Sequence, residues 1–263
     1  MAKQSNAKKA LRHIVVTGAG SGIGRAIALR LASKSTRLSL IARNVERLDE
    51  TAALARKQGA EVACFGCDIR KKKQVDAAFD AAAQKFGPLT ALVANAGIGG
   101  PNVPDSRDRF EDLVATNLSG TYFCLRAAER HLAPGPATRH MVVISSILAR
   151  IGVPGYAGYC ASKAGLLGLV RSFAVELAPH DVQVNAVCPG WVNTEMAHAG
   201  LGQMAKAMSV SADEALRLAM QAVPLRRMSE PEDIAGLVAW LISNDARGVT
   251  GQSLDINGGA FMH

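Results

Sequence analysis

The chain alternates between short apolar runs rich in β-branched residues and longer stretches in which apolar residues recur at helical spacing. Runs of the first kind predict strands, and stretches of the second kind predict helices. The predicted strands are residues 12–18, 37–43, 61–68, 89–97, 140–146, 182–190 and 252–258. The predicted helices are residues 22–33, 44–58, 71–86, 107–132, 157–178 and 231–243. Ser229 and Glu232 have the spacing of a capping box and predict the start of the last helix.

Strands that alternate with helices predict βαβ units with right-handed crossovers and a parallel sheet covered on both faces. Seven such strands in one sheet predict a doubly wound, Rossmann-like α/β fold. With 263 residues, of which 49% are apolar, the chain can bury a substantial core. We therefore expect a single domain over residues 13–263.

Residues 191–222 interrupt this alternation and are rich in Met, Ala and Leu. They predict one or two short helices outside the sheet. Because the segment follows the sixth strand, at the edge where open α/β sheets bind ligands, we expect it to be a lid over that site. Its apolar side chains either make an adaptable apolar pocket or only hold the lid on the body. Those side chains are Trp191, Val192, Met196, Leu201, Met204, Met208, Leu216, Leu218 and Met220.

The net charge of +8 does not indicate a nucleic-acid partner. Four of the positive charges (Lys3, Lys8, Lys9 and Arg12) lie in residues 1–12, which we predict to be a flexible N-terminus. The remaining charge is dispersed, and aromatic residues make up only 5% of the chain, so no basic stripe carries stacking side chains. No apolar run approaches the roughly 20 residues of a membrane span, and the N-terminus has no signal-peptide pattern. We expect a cytoplasmic protein with neither a nucleic-acid nor a membrane partner.

The five cysteines form an odd, sparse set that is typical of a reducing compartment. Cys64 and Cys67 have redox-motif spacing but end an apolar strand instead of opening a helix, so we interpret them as core residues. The six histidines lie in no metal-ligand pattern, and no metal site is predicted.

The sequence TGAGSGIG at residues 17–24 joins the first predicted strand to the first helix. Glycines allow a tight turn and a close approach to phosphate, while the helix N-terminus offers free N–H groups. The spacing is T-G-x-x-x-G-x-G, with glycines at 18, 22 and 24, and does not fit G-x-G-x-x-G. A dinucleotide pyrophosphate site is predicted here.

Further polar residues and turns follow other strands at the carboxyl edge of the predicted sheet. These are Asp68, the triplet Asn95-Ala96-Gly97, the pair Ser145-Ser146, and Pro189-Gly190. Parallel strands bring their carboxyl ends to one edge, so we expect these residues to gather around one ligand. Asp68 could hydrogen-bond an adenine amine.

Tyr159 and Lys163 lie four residues apart in the predicted helix 157–178, so their side chains share one face. A tyrosine with an ordinary pKa near 10 is a poor proton donor or acceptor at neutral pH. A nearby ammonium favours the phenolate and is expected to lower that pKa towards the working pH.

Together, these motifs resemble the short-chain dehydrogenase/reductase family, in the branch whose chains have about this length. The resemblance covers nearly the whole chain: TGAGSGIG, Asp68, Asn95-Ala96-Gly97, Asn117, Ser146, Tyr159 and Lys163, Pro189-Gly190, and DINGG at 255–259. Ser146 precedes Tyr159 by 13 residues, as the family's catalytic serine does. Ala94 stands where many members carry a first asparagine.

The resemblance implies roles for individual residues. The catalytic set would be Asn117, Ser146, Tyr159 and Lys163. In that set Tyr159 transfers the proton, Ser146 binds the carbonyl oxygen, and Lys163 reaches the nicotinamide ribose. Asn117 would connect Lys163 to solvent through a water. The cofactor-binding set would be Gly18, Ser21, Gly22, Ile23, Gly24, Arg43, Asp68, Ile69, Asn95, Ala96, Gly97, Tyr159, Lys163, Pro189, Gly190, Val192 and Thr194. The resemblance also implies a homotetramer acting on a small-molecule alcohol or carbonyl, by hydride transfer to or from NAD(P).

The end of the second strand bears on the choice of cofactor. A carboxylate there binds the ribose 2′-hydroxyl of NAD, but this chain has Ala42 followed by Arg43. A guanidinium suits the 2′-phosphate of NADP, and the basic run 70–73 is expected to add positive potential. We predict NADP(H) in preference to NAD(H).

The leading interpretation is thus an NADP(H)-dependent carbonyl reductase acting on a ketone or a 3-oxoacyl thioester. An NAD(H)-dependent alcohol dehydrogenase, an extended-branch epimerase or dehydratase, and a catalytically silent cofactor sensor are the alternatives. If the substrate travels on an acidic carrier, Arg130 or Arg139 could meet that carrier.

Overall fold

The computed structural model describes residues 11–103, 105, 107–135 and 138–262. Its strands are β1 Arg12–Thr17, β2 Thr36–Ala42, β3 Glu61–Gly66, β4 Ala91–Ala94, β5 Arg139–Ile144, β6 Val182–Pro189 and β7 Ser253–Ile256. Its α-helices are α1 Gly22–Leu31, α2 Val45–Lys57, α3 Lys72–Phe86, α4 Phe110–Leu113, α5 Thr121–Arg130, α6 Ala157–Leu177, α7 Glu195–Met208, α8 Ala212–Gln221 and α9 Pro231–Leu241. Most of the predicted flexible N-terminus, residues 1–10, lies outside the described residues, and Arg12 already belongs to β1.

The strands form one parallel sheet in the order β3-β2-β1-β4-β5-β6-β7. The chain builds outward from β1 to β3, then returns to add β4 on the other side of β1, so the strand order reverses between β1 and β4. This confirms the predicted seven-stranded, doubly wound fold. Such a reversal opens a crevice at the carboxyl edge of the sheet, where α/β proteins bind ligands.

Successive strand residues point to opposite sides of the sheet, and here both sides carry apolar residues. Helices therefore cover both faces. On one face Val15 packs with Phe79 of α3 and Phe173 of α6. On the other, Ile14 packs with helices α1, α2 and α9. These two apolar layers fix the sheet and therefore the positions of the loops at its carboxyl edge.

Two predicted elements differ from the structure. The helix predicted over 107–132 contains a π-helical stretch, Val114–Gly120, between α4 and α5. The predicted capping box of Ser229 and Glu232 is wrong by one residue: Glu230 is the N-cap, and its N–H donates to the Asp233 carboxylate. Ser229 is displaced from the cap because its backbone pairs with Trp191 and Asn193.

Within the described part of the chain, no helix has the length and apolar content needed to cross a membrane. In the same residues, no group of three or more His, Cys, Asp or Glu side chains could hold a metal ion. Burial raises the pKa of Cys64 and of Cys67 to about 11, which fits their interpretation as core residues.

The buried His140 of β5 is expected to make the stability of the folded chain depend on pH. The side chain is 3% exposed. Its Nδ1 has no hydrogen-bond partner in the described residues. Burial, aided by the nearby Arg12 charge, lowers the pKa of His140 to about 4. The unfolded chain takes up this proton near pH 6.5 and the folded chain only near pH 4, so stability falls as the pH drops between those values.

We expect His140 to contribute a loss of about 2 kcal/mol in the free energy of unfolding between pH 7 and pH 5. Urea unfolding at both pH values measures it. His140→Val should remove that part of the loss, whereas His180→Gln, at an exposed histidine, should leave it unchanged. Equal pH dependence in all three proteins would contradict the assignment.

Candidate active site

The turn between β1 and α1 brings backbone close to backbone. Gly18 and Gly22 have φ values of +68° and +49°, which L side chains rarely adopt. A Cβ on Gly24 would collide with the Gly18 carbonyl oxygen, so only glycine fits there. Ser21 is the N-cap of α1 without a side-chain cap bond, and Ser21, Gly22 and Ile23 at the start of the helix line the crevice. The predicted phosphate turn therefore has the backbone geometry that it needs.

Asn95 holds this turn in place. Its Nδ2 donates to the carbonyl oxygens of Thr17 and Gly18, at 3.0 and 3.3 Å, and its N–H donates to the Thr17 hydroxyl. The Ala96 N–H donates to the same hydroxyl at 3.1 Å. β4 lies beside β1 in the sheet, so a short polar side chain at the end of β4 can reach the turn.

Asn117 lies in the π-helical stretch and clamps the segment that follows Gly97. Its Oδ1 accepts from the Ile98 N–H at 2.8 Å, and its Nδ2 donates to the Ile98 carbonyl and to the Ser162 hydroxyl. A Cβ on Gly97 would lie 3.1 Å from Asn117 Oδ1 and 3.5 Å from Lys163 Nζ. Both N–H bonds of the Asn117 amide are thus used by protein atoms, and its side chain joins the Gly97 segment to α6.

Tyr159 and Lys163 share one face of α6, as predicted, but their electrostatics differ from expectation. Burial raises the pKa of Tyr159, and a hydrogen bond with Ser146 only partly opposes that rise. Lys163 Nζ lies 5.8 Å from the centre of the tyrosine ring and donates to the Ile144 carbonyl at 2.9 Å. Its own pKa is lowered to about 8 by burial. The predicted lowering of the Tyr159 pKa by Lys163 is therefore absent from this structure, since the ammonium is directed at a backbone carbonyl.

The two serines at the end of β5 have different surroundings. Ser146 is the N-cap of a short turn of 3₁₀-helix and accepts from the Leu148 N–H at 3.1 Å, next to Tyr159. Ser145 donates its buried hydroxyl to the Lys163 carbonyl at 2.9 Å. Ser146 thus faces the phenol, and Ser145 anchors the helix.

Arg43 follows β2 with an exposed side chain that has no hydrogen bond or ion pair to the described residues. Arg43 lines the cleft together with Ala42.

The basic run 70–73 is partly neutralised by neighbouring carboxylates. Asp68 accepts from the Arg70 guanidinium at 2.7 Å, and this bond lowers the pKa of Asp68. Arg70 also pairs with Asp112, and Lys72 pairs with Asp76. The positive potential expected from this run is therefore smaller than predicted.

These residues surround a cleft of about 650 Å³ at the carboxyl edge of the sheet. Of the predicted site residues, the following line it: Gly18, Ser21, Gly22, Ile23, Arg43, Asp68, Ile69, Asn95, Ala96, Gly97, Tyr159, Lys163 and Thr194. The others do not line it. Gly24, Asn117 and Ser146 contact residues that do, namely Gly18, Ile98 and Tyr159. Gly190 packs against Asn257, Pro189 ends β6, and Val192 lies in the core.

Residues 191–222 form α7 and α8, and Thr194 is the N-cap of α7. Most of their apolar side chains face one another, because Leu201 and Met220 pack with Trp191, Met204 and Leu216. Val192 is buried in the main core. Of the apolar residues in this segment, Met196 lines the cleft. The methionines and leucines therefore mainly hold the segment together, and Met196 brings an apolar side chain of this segment to the cleft.

An ion pair that the sequence did not predict crosses the cleft. Arg47 of α2 contacts the Glu195 carboxylate, at the start of α7, at 2.9 Å. Arg47 also packs against Gly20 of the phosphate turn. The two residues are 148 positions apart, so no local pattern could reveal the pair.

The arginines suggested as contacts for an acidic carrier have other roles. Arg139 is 5% exposed and donates to the carbonyls of Ala133 and Gly135. It begins β5, at the end of the strand opposite the cleft. Arg130 pairs with Asp76. The suggestion is wrong for Arg139, which is buried, and stays a prediction for Arg130.

Comparison with known proteins agrees with this geometry. A family model described as enoyl-(acyl carrier protein) reductase matches residues 18–261. A putative ketoacyl reductase of Streptomyces coelicolor is 36% identical over 251 residues, which are 93% of this chain and 95% of that protein.

Two solved structures are also similar. A single-site variant of actinorhodin polyketide ketoreductase, solved with NADPH, has a TM-score of 0.87 and 34% identity, over 95% of this chain and 97% of that one. The NAD⁺-bound xylitol dehydrogenase has a TM-score of 0.88 and 30% identity, over 96% of this chain and 100% of that one. The chain thus belongs to the short-chain dehydrogenase/reductase family and is an NAD(P)-dependent oxidoreductase that acts on alcohol and ketone groups.

Proposed function

We propose that this protein is an NADPH-dependent reductase of ketones or 3-oxoacyl thioesters, with Tyr159 as the proton donor. The observation that carries the proposal is one cleft that holds both the Tyr159–Lys163 pair and Arg43, whose guanidinium has no ion pair among the described residues. The similarity to a ketoacyl reductase and to an NADPH-bound ketoreductase supports the substrate class and the cofactor.

The residues present fit a dinucleotide phosphate cofactor. Gly24 lets the turn pack against the Gly18 carbonyl, and Gly18, Ser21 and Gly22 line the cleft where a pyrophosphate would bind. The Arg43 guanidinium is available for a 2′-phosphate, and Ala42 adds no negative charge that would repel it. Thr194, Gly97 and Lys163 would hold the nicotinamide half.

The chemistry follows from the positions of three side chains. A bound nicotinamide supplies the hydride to the carbonyl carbon, or accepts it in the reverse direction. Tyr159 gives its phenolic proton to the carbonyl oxygen, and Ser146 donates a hydrogen bond to the same oxygen as negative charge develops there. Lys163, with a pKa of about 8, is mostly an ammonium at neutral pH, and it would favour the phenolate that remains once its Nζ turns from the Ile144 carbonyl towards the phenol. Because burial raises the pKa of Tyr159, the phenol stays protonated until the substrate arrives, as a reductase requires.

The substrate approaches from the side of α7, where Met196 lies close to Gly99 and Tyr159. We propose that α7 and α8 act as the lid of this pocket, since they begin at the cleft and have a small core of their own. A flexible thioether suits bulky apolar carbonyl compounds better than polyhydroxylated ones.

A kinetic panel tests this function: an acetoacetyl thioester, a bicyclic ketone, a small aliphatic ketone and a ketosugar, each with NADPH and with NADH. We expect the thioester or the bicyclic ketone to have a kcat/KM at least about tenfold above that of the ketosugar. Loss of NADPH absorbance measures turnover. Met196→Ser should reduce the ratio of kcat/KM for the apolar substrates to that for the ketosugar. Met208→Ser, at the other end of α7, should leave this ratio unchanged. The highest kcat/KM on the sugar would contradict the apolar pocket, and no turnover with any carbonyl compound would contradict the reductase.

We further propose that the enzyme works as a homotetramer in the cytoplasm. Large apolar side chains that are exposed in the single chain support self-association, among them Tyr122 of α5, Val175 of α6 and Trp240 of α9. A second copy of the chain would remove them from water.

A further inference from the structure

The helix that carries Tyr159 begins without a cap of its own. Tyr156 is the N-cap of α6, its side chain makes no capping hydrogen bond, and the first turn has no acidic residue. Helix N-termini leave their first N–H groups without partners, and an oxygen from Ser, Thr, Asp or Asn normally satisfies one of them. Tyr159 is the third residue of α6 and therefore lies within this exposed first turn.

Asn102, from the segment between β4 and α4, supplies the missing cap. Its Oδ1 accepts from the Gly158 N–H at 2.7 Å, and Gly158 is the second residue of the helix. This is the N–H that an N-cap side chain would bind. The Asn102 backbone N–H also donates to the Gly155 carbonyl at 2.6 Å. Two hydrogen bonds thus tie Asn102 to the four residues that precede Tyr159.

Gly158 makes this approach possible. A Cβ at that position would lie 3.0 and 3.1 Å from the Asn102 amide oxygen and nitrogen, and 3.1 Å from a Leu113 methyl group. Any larger residue would push the cap away from the helix.

Asp108 sets which end of the Asn102 amide faces the helix. Asn102 Nδ2 donates to Asp108 Oδ1 at 2.6 Å. Because the carboxylate accepts and cannot donate, it holds the NH₂ group on its own side and leaves Oδ1 directed at Gly158.

We propose that Asn102 is a positioning residue for the Tyr159 phenol. The inference rests on the proposed function of Tyr159 as proton donor. Lys163 lies one turn further along the helix and is held separately, by Nζ on the Ile144 carbonyl and by Ser145 on its own carbonyl. Loss of the cap therefore loosens Tyr159 and leaves Lys163 and the phosphate turn in place. A displacement of about 1 Å at a reacting group can cost a hundredfold in rate.

Three variants and a control test this. Asn102→Ala should lower kcat by about tenfold, because the loosened phenol spends less time in the reactive position, while KM for NADPH stays within about twofold. The double variant N102D/D108N exchanges the two functional groups and keeps both hydrogen bonds, so it should recover kcat to within about threefold of the unaltered enzyme. Gly158→Ala should lower kcat as Asn102→Ala does, because its methyl group would push the Asn102 amide away from the helix. The control Asn244→Ala changes an exposed asparagine after α9 and should leave kcat and the KM for NADPH unchanged. Assays use NADPH and the most reactive carbonyl compound of the panel.

Hydrogen exchange at the Gly158 amide, followed by mass spectrometry on short peptides, gives a readout that does not depend on activity. Exchange should be at least about tenfold faster in Asn102→Ala and return towards the unaltered rate in the double variant. Unchanged exchange in Asn102→Ala would overturn the cap. Faster exchange with unchanged kcat, or a KM for NADPH that rises as much as kcat falls, would overturn the positioning role. If the unaltered protein reduces no panel compound, the proposed function fails, and the exchange result still decides on the cap.

Discussion

Replacing Tyr159 with phenylalanine is expected to lower kcat by about a thousandfold. The substitution removes one hydroxyl from a buried side chain and leaves the ring in place, so the helix and the cleft should keep their shape. General acid–base catalysis by a positioned side chain contributes about 10²- to 10⁴-fold, and the phenol is the acidic group beside Ser146 in the cleft. Steady-state loss of NADPH absorbance with the best panel substrate measures the effect.

NADPH binding provides the control for this prediction. Tyr159→Phe should leave the Kd for NADPH, measured by fluorescence titration, within about threefold of the unaltered value, because the phosphate turn and Arg43 are untouched. Lys163→Ala should impair both turnover and binding, since Lys163 lines the cofactor cleft and also lies beside the phenol. Near-normal turnover by Tyr159→Phe would refute the mechanism.

The sequence predicted the fold because each strand and helix has its own local pattern. All seven strands and the helices between them lie within a few residues of their predicted positions. In βαβ folds the order of strands along the chain also constrains their order in the sheet, so the carboxyl edge could be identified without a structure. Asp68, Asn95-Ala96-Gly97 and Ser145 therefore line one cleft as expected, whereas Ser146, Pro189 and Gly190 are not among its lining residues.

What the sequence did not predict depends on contacts between distant segments. Asp68 closely follows β3, but its carboxylate is bound by Arg70, whose side chain could equally have faced solvent. Arg47 and Glu195 meet only because α2 and α7 flank the same turn. The direction of Lys163 Nζ towards Ile144 and the burial that raises the pKa of Tyr159 also arise from tertiary contacts. Asn102 has no motif at all, and its role becomes visible only when the start of α6 lies beside it.

The double substitution Ala42→Asp with Arg43→Gln is expected to change the preferred cofactor from NADPH to NADH. Removing the guanidinium loses a charge-assisted contact with the 2′-phosphate worth about 1.5–3 kcal/mol, which is roughly ten- to a hundredfold in affinity. The new carboxylate would repel that phosphate and could accept hydrogen bonds from the 2′- and 3′-hydroxyls of NADH. The ratio of kcat/KM for NADPH to that for NADH should thus fall by at least about a hundredfold. Arg25→Gln, which removes an arginine paired with Glu50 instead of a cleft residue, should leave the ratio unchanged. A preference for NADH in the unaltered protein would show that Arg43 does not select the cofactor.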